Sequence, residues 1–239
     1  MFRNDYVMRM IEQLSSAMGV ILGLKRQLKP EEALQLLEET YKRLFGLNPN
    51  LIRALSERDL TDLLNRQGEA TAEKMLVVAR LMKEEAELYS TLDRVDESHR
   101  LNRKALHITL TAAQESSDVP WLDIGGQVDE LLDRLRPYGL PAETRRLLWA
   151  YYASVGRFAD AEDYLFQLLQ ETPQTAEEQS QLDRLLADAD SFYERLLTLD
   201  EEVLEAGRLP LDEVKDSLEE IRALTAARDA GKKSETTDV

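Results

Sequence analysis

Cysteine is absent from the 239 residues. That excludes disulfides, thiolate metal sites, iron–sulfur clusters and cysteine nucleophiles, and it suits a reducing compartment. Strand formers are scarce, with 17 Val and Ile against 42 Leu, and so are chain breakers, with 10 Gly and 7 Pro. Unbranched helix formers therefore dominate, and an all-α fold is expected. Long apolar runs are missing as well. The longest near the N-terminus, Ala17 to Leu24, has eight residues, far below the roughly 20 that cross a bilayer, so no span is predicted there. Asp5, Arg9 and Glu12 interrupt this segment and no small-residue cleavage site follows it, which argues against a signal peptide. The expected location is the cytoplasm.

What is present is 43% apolar and 32% charged side chains with a net charge of −16, a composition that folds and stays in solution. The charge is unevenly placed. Residues 1–110 carry 17 basic and 17 acidic side chains, so residues 111–239 hold the whole excess. A half-chain this acidic repels phosphate, and nucleic acid is not an expected partner.

Helical periodicity recurs along the chain and its breaks divide it into four. Residues 1–68 form an N-terminal hairpin region: one helix to about Gln27, a second that Pro30 opens and Gly46 ends, a loop at Leu47–Asn50, and a short helix that Ser56 caps and Gly68 closes. Residues 69–173 form a stack, from a long pair joined at Asp93, across the polar linker Ser116–Pro120 and a break at Gly125-Gly126, to a pair turning at Gly156. Residues 174–229 form an acidic hairpin. Its first seam runs Leu182, Leu185, Ala189, Phe192, Leu196, Leu199, Val203 and Ala206, and Leu211, Val214, Leu218 and Ile221 resume the spacing after Gly207 and Pro210. Residues 230–239 form a disordered tail.

Catalytic constellations are wanting. The two histidines, His99 and His107, are eight positions apart on one helix and cannot share a metal unaided. Asp96-x-x-His99 has the spacing of one half of a di-iron carboxylate site, but the second such pair is missing, and both histidines are expected on a solvated helix surface. Carboxylate pairs such as Glu84 with Glu85 are expected on a wet face. No phosphate loop, nucleophile elbow or HExxH occurs, so no enzyme, metal or cofactor is predicted. Gly19 and Gly23 would permit close approach of another helix, and Met1, Met8, Met10 and Met18 cluster in the same segment, chiefly as core filling.

Leu148, Tyr152, Gly156-Arg157-Phe158, Ala161, Leu165 and Pro173 resemble one tetratricopeptide repeat, whose small and large apolar positions let two antiparallel helices nest. Ala86, Tyr89, Ser98, Ala105 and Leu106 resemble a second copy 63 residues earlier, with Glu85 at a normally apolar place and a degenerate unit filling the gap. The resemblance implies a right-handed solenoid flanked by terminal hairpins, and a groove that binds a protein or peptide. In that register the groove residues are Arg80, Lys83, Glu87 and Ser90 in one unit and Arg146, Ala150 and Ser154 in the other. Arg80, Lys83 and Arg146 would form a basic strip suited to an acidic peptide. Two alternatives accompany this reading. One is a homo-oligomer, such as a homodimer, joined through the C-terminal seams; the other is a peripheral membrane binder using the first helix with Arg3, Arg9, Lys25, Arg26 and Lys29. The stretches MFRNDYVMRMIEQL and LFGLNPNLIRALSERDL also resemble an uncharacterised family of bacterial proteins.

Overall fold

Each helix carries its own start and stop signals, and these account for most of the boundaries in the computed structural model, which describes residues 2–66, 71–115 and 121–235. Gly68 and the linker Ser116–Pro120 lie outside the described residues. All regular elements among the described residues are α-helices, twelve in number, so the fold is all-α. The chain forms two compact units, Met1–Leu140 and Pro141–Val239. That boundary falls inside the 69–173 stretch read from sequence as one stack.

In the first unit, α1 (Phe2–Arg26) buries Met10, Leu14, Ala17, Met18 and Ile21, a stripe at helical spacing. Its opposite side leaves Met8, Val20 and Leu22 exposed. Gly19 and Gly23 have open space where a Cβ would stand, so no described helix uses them for close approach. An eight-residue run understates this helix: Asp5–Arg26 reaches a mean hydropathy of 1.2 and is long and apolar enough to cross a membrane by length and composition, with 28% of its apolar window buried. Pro30 opens α2 (Pro30–Phe45), and Gly46 ends it at φ 64°. The expected loop at Leu47–Asn50 is shorter than predicted. Asn48 Oδ1 accepts from Asn50 N at 2.9 Å and Pro49 takes the first turn, which starts the short α3 (Pro49–Ala54). Ser56 caps α4 (Glu57–Asn65), accepting from Asp59 N at 3.1 Å.

α5 (Thr71–Thr91) and α6 (Val95–Glu115) pack along their lengths as a hairpin that turns at Asp93, φ 58°. α5 also contacts α1, α2 and α4, so it is buried on nearly every side. Gly125-Gly126 does not break the chain as expected but sits in the first turn of α7 (Ile124–Leu135). Asp123 caps that turn by accepting from Gly126 N at 2.9 Å, and a Cβ at Gly126 would stand 2.4 Å from Asp123 Oδ2. The α5–α6 hairpin occupies positions 71–115, longer than a repeat of about 34 residues. Between it and the next hairpin the described residues hold one 12-residue helix in place of a further pair.

In the second unit, α8 (Ala142–Ser154) and α9 (Phe158–Leu169) form a hairpin about Gly156, φ 77°, with Leu148, Tyr152, Phe158, Ala161 and Leu165 buried. Thr175 and Glu178 make a reciprocal capping box at the start of α10 (Ala176–Leu196). The first seam does not continue to Ala206. α10 ends at Leu196, α11 (Glu201–Ala206) follows, and Leu204 is buried while Val203 is 45% exposed. α12 (Leu211–Glu235) continues beyond position 229, where the sequence suggested fraying, and packs antiparallel on α10. Arg222 pairs with Asp190 and Glu194, and Arg228 with Asp183, along that seam.

Gly207 joins the end of α11 to the α8–α9 turn. Its carbonyl accepts from Ala159 N at 3.0 Å, and a Cβ there would stand 2.3 Å from Phe158 Cδ2 and 2.7 Å from the Gly156 carbonyl oxygen. Backbone cannot yield as a flexible side chain would. Gly207→Ala is therefore expected to destabilise the protein by about 1–3 kcal/mol through overpacking, measured by urea denaturation; an unchanged midpoint would refute the requirement for glycine.

Candidate functional site

Arg146, Ala150 and Ser154 recur every four residues and so share one face of α8. That face is turned toward α10. Arg146 lines a cavity of about 430 Å³ with Gln181, Leu182 and Leu185 of α10, while Ala150 and Ser154 line one of about 290 Å³ with Asp188, Phe192 and Arg195. Residue numbers rise together along the two walls, so α8 and α10 run parallel and form a groove. Ala150 and Ala153 are too small to fill it. Trp149 stands edge-on to Phe192 with ring centroids 6.3 Å apart, and its buried Nε1 has no hydrogen-bond partner among the described residues. Arg145 fastens the neighbouring end of the hairpin by pairing with Glu171 and donating to the Gln167 carbonyl.

The other four groove candidates lie in the first unit. Arg80, Lys83, Glu87 and Ser90 share one side of α5, but three of them are paired. Arg80 meets Glu84 at 3.1 Å, Lys83 meets Glu130, and Glu87 meets Lys25 at 2.7 Å and Arg134 at 3.3 Å. Burial pushes the Glu87 carboxyl up, yet Lys25 and Arg134 hold it below its ordinary range. Ser90 is exposed beside a cavity of about 260 Å³ that also contains His99 and Asn102. Arg80 and Lys83 belong to one unit and Arg146 to the other, and carboxylates compensate the first two.

The wet-face reading of Glu84 and Glu85 is wrong: they are 3% and 0% exposed. Glu84 accepts an ion pair from Lys25 at 3.1 Å as well as from Arg80. Glu85 takes Arg53 Nε at 2.6 Å, and Arg53 also reaches Glu38 at 3.0 Å. Burial raises the Glu85 carboxyl above its ordinary value, with Arg53 opposing the shift; burial likewise pushes the neighbouring Tyr41 and Tyr89 hydroxyls up. Lys104, 6% exposed, donates to the carbonyls of Arg53 and Leu55 and so closes the end of α3. His107 is buried at 4% exposure, and His99 packs against Tyr138 with ring centroids 4.0 Å apart and planes tilted by 35°, so neither is simply solvated. The available signal was the run Met75–Met82, apolar but for Arg80, immediately ahead of Lys83-Glu84-Glu85, because a helix that is apolar over two successive turns has no wide wet face to offer there.

Among the described residues no three potential metal ligands converge. A family model described as a family of unknown function, DUF6483, matches residues 1–226. The chain belongs to that family. The resemblance carried by its two N-terminal stretches thus extends over nearly the whole sequence. No curated protein and no solved structure matches the chain.

The Arg53–Glu85 pair generates a two-part expectation. Arg53→Met strands a buried carboxylate and should cost about 3 kcal/mol, whereas Glu85→Gln leaves Arg53 paired with Glu38 and should cost less. Because the folded Glu85 binds its proton more tightly than an unfolded glutamate, its contribution is fully present below the ordinary carboxylate range and is lost as pH rises through the folded value. Wild type should therefore lose stability relative to Glu85→Gln as pH is raised from 4 toward 7 (about 4 and 7 here bracketing the carboxylate range). Denaturant titrations of both proteins across that range check the sign; a constant difference would refute it.

Proposed function

We propose that the protein is a non-enzymatic binding module in which the α8–α9 hairpin is tetratricopeptide-like and the α8/α10 groove takes a short peptide segment of a protein partner. Helices of 13 and 12 residues, the left-handed Gly156 turn, and the buried set Leu148, Tyr152, Phe158, Ala161 and Leu165 support the repeat reading. So does the parallel course of α8 and α10 with α9 returning beside α8, since stacked repeats present their first helices side by side.

The observation that carries the binding reading is the Trp149 indole N–H. A buried donor without a partner costs about 1–3 kcal/mol, and the Trp149 side chain that carries it lines a groove floored by Ala150 and Ala153. A peptide carbonyl would satisfy it once the ring turns toward the groove, while an apolar side chain fills the space beside Phe192. Protein is favoured over nucleic acid because the residues from Pro141 onward carry 11 basic against 23 acidic side chains, a field that repels phosphates.

Selection from a displayed library of short random peptides against the full chain tests the proposal. Enriched peptides are expected to lose at least about tenfold in affinity when Ala150→Trp fills the groove, and to weaken with Trp149→Phe, which keeps a ring and removes the donor. Peptides that bind both variants as tightly as wild type would overturn it.

A further inference from the structure

Carboxylates outnumber cations by 23 to 11 from Pro141 onward, so an arginine in the second unit has partners in plenty. Arg145, Arg157, Arg208, Arg222 and Arg228 are all ion-paired. Among the described residues Arg146 and Arg195 are not, although both line the α8/α10 groove, one in each of its cavities. Arg184 and Lys215 lack an ion pair as well, but they are exposed and line neither cavity. The carboxylates nearest Arg146 in the groove are engaged elsewhere. Glu171 pairs with Arg145, and Glu178 accepts from the backbone N–H of Gln174 at 2.6 Å and of Thr175 at 3.2 Å. Arg195 lies over the Phe192 ring, 5.9 Å from its centroid. Arg146 is half-buried and Arg195 exposed, so each keeps surface for a ligand to meet.

Spacing narrows what that ligand is. Arg146 shares its cavity with Leu182 and Leu185, and Arg195 shares the other with Ser154, eight positions along α8. At 1.5 Å per residue the two levels are about 12 Å apart. An extended chain rises about 3.3 Å per residue and turns alternate side chains to the same side, so its positions i and i+4 match that separation and i+2 falls between them on the same face. What lies between the arginines is Ala150 and Ala153 on one wall, with Phe192 and Asp188 on the other. The alanines and Phe192 leave room for an apolar side chain, and Asp188 repels a third carboxylate there.

Resting on the peptide-binding reading above, we propose that the groove selects an extended acidic segment of the pattern acidic-x-apolar-x-acidic. Its outer carboxylates meet Arg146 and Arg195, and its central side chain lies over Ala150 against Phe192. The partner is thus a protein with a short, exposed acidic stretch, bound without any bond being made or broken.

The pattern and the groove are tested separately in one selection of random peptides against the full chain. Peptides whose binding is lost in Ala150→Trp occupy the groove, and these are expected to carry acidic residues four apart about an apolar one. Arg146→Glu and Arg195→Glu should each weaken them at least about tenfold. Replacing the facing peptide carboxylate by lysine should recover binding to the matching variant, a reversal that a merely structural role for either arginine would not give. Arg146→Gln and Arg195→Gln serve where a reversed charge prevents folding, and should weaken the same peptides. Groove-dependent peptides without the acidic pair, or with affinity unchanged by the arginine variants, would overturn the acidic specificity while leaving the groove as a peptide site. Absence of any peptide sensitive to Ala150→Trp would overturn the groove itself and this proposal with it.

Discussion

The first unit is organised around two carboxylates that have nowhere to go. α5 is enclosed by α1, α2, α4 and α6, yet it carries Glu84 and Glu85 at the middle of its length, both essentially inaccessible. An unpaired charge in such a place is prohibitively costly, so each must bring a cation with it. Glu84 draws in Lys25 from the end of α1, and Glu85 draws in Arg53 from α3. Those two requirements fix where α1 ends against α5 and where the α2–α3 connection crosses it. Lys104 then ties the carbonyls at the end of α3 to α6, so one polar seam links four helices. Apolar packing supplies most of the burial, but it is directionless; the ion pairs set the register at which the helices meet.

Much of the local architecture was legible because its causes are local. Pro30, Gly46, Ser56, Asp93 and Gly156 each act within a turn, and helix boundaries followed them to within a residue or two. The failures are instructive in the opposite sense. Gly125-Gly126 reads as a break until Asp123 is recognised as a cap whose carboxylate needs the space a side chain would take. The seam through Leu199 and Val203 keeps its spacing across a real interruption, because periodicity cannot register a turn at Leu197–Asp200 that preserves phase. Glu84, Glu85 and His107 were misassigned to solvent, since burial of a polar residue depends on partners dozens of positions away. The groove face of α8 was visible from spacing alone, but nothing in the spacing marks the unpaired indole donor of Trp149.

In the second unit a single acidic oxygen plays the organising part. Glu162 Oε1 on α9 accepts from Tyr193 on α10 and from Ser217 on α12, both at 2.7 Å. Three helices are thereby fixed about one atom, with Phe192 packed beside it against Phe158. This rigid back is what allows the opposite side of α10 to stand away from α8 and leave space. A groove between two helices persists only if something other than their direct contact holds them apart, and here α9 and α12 do so.

Buried polar groups in the two units differ in what adjoins them. Tyr41 and Glu85 sit in the core beside the Arg53 ion pair, where the carboxylate interacts with the hydroxyl as well as with the guanidinium. The Trp149 ring instead stands in the wall of the α8/α10 groove beside Phe192, above a floor of Ala150 and Ala153, and its buried indole N–H has no partner among the described residues. An unmet bond of this kind costs about 1–3 kcal/mol, and only where space adjoins the side chain can a binding partner help recover it. That is the physical reason why the groove, and not the core, supports the peptide reading proposed above.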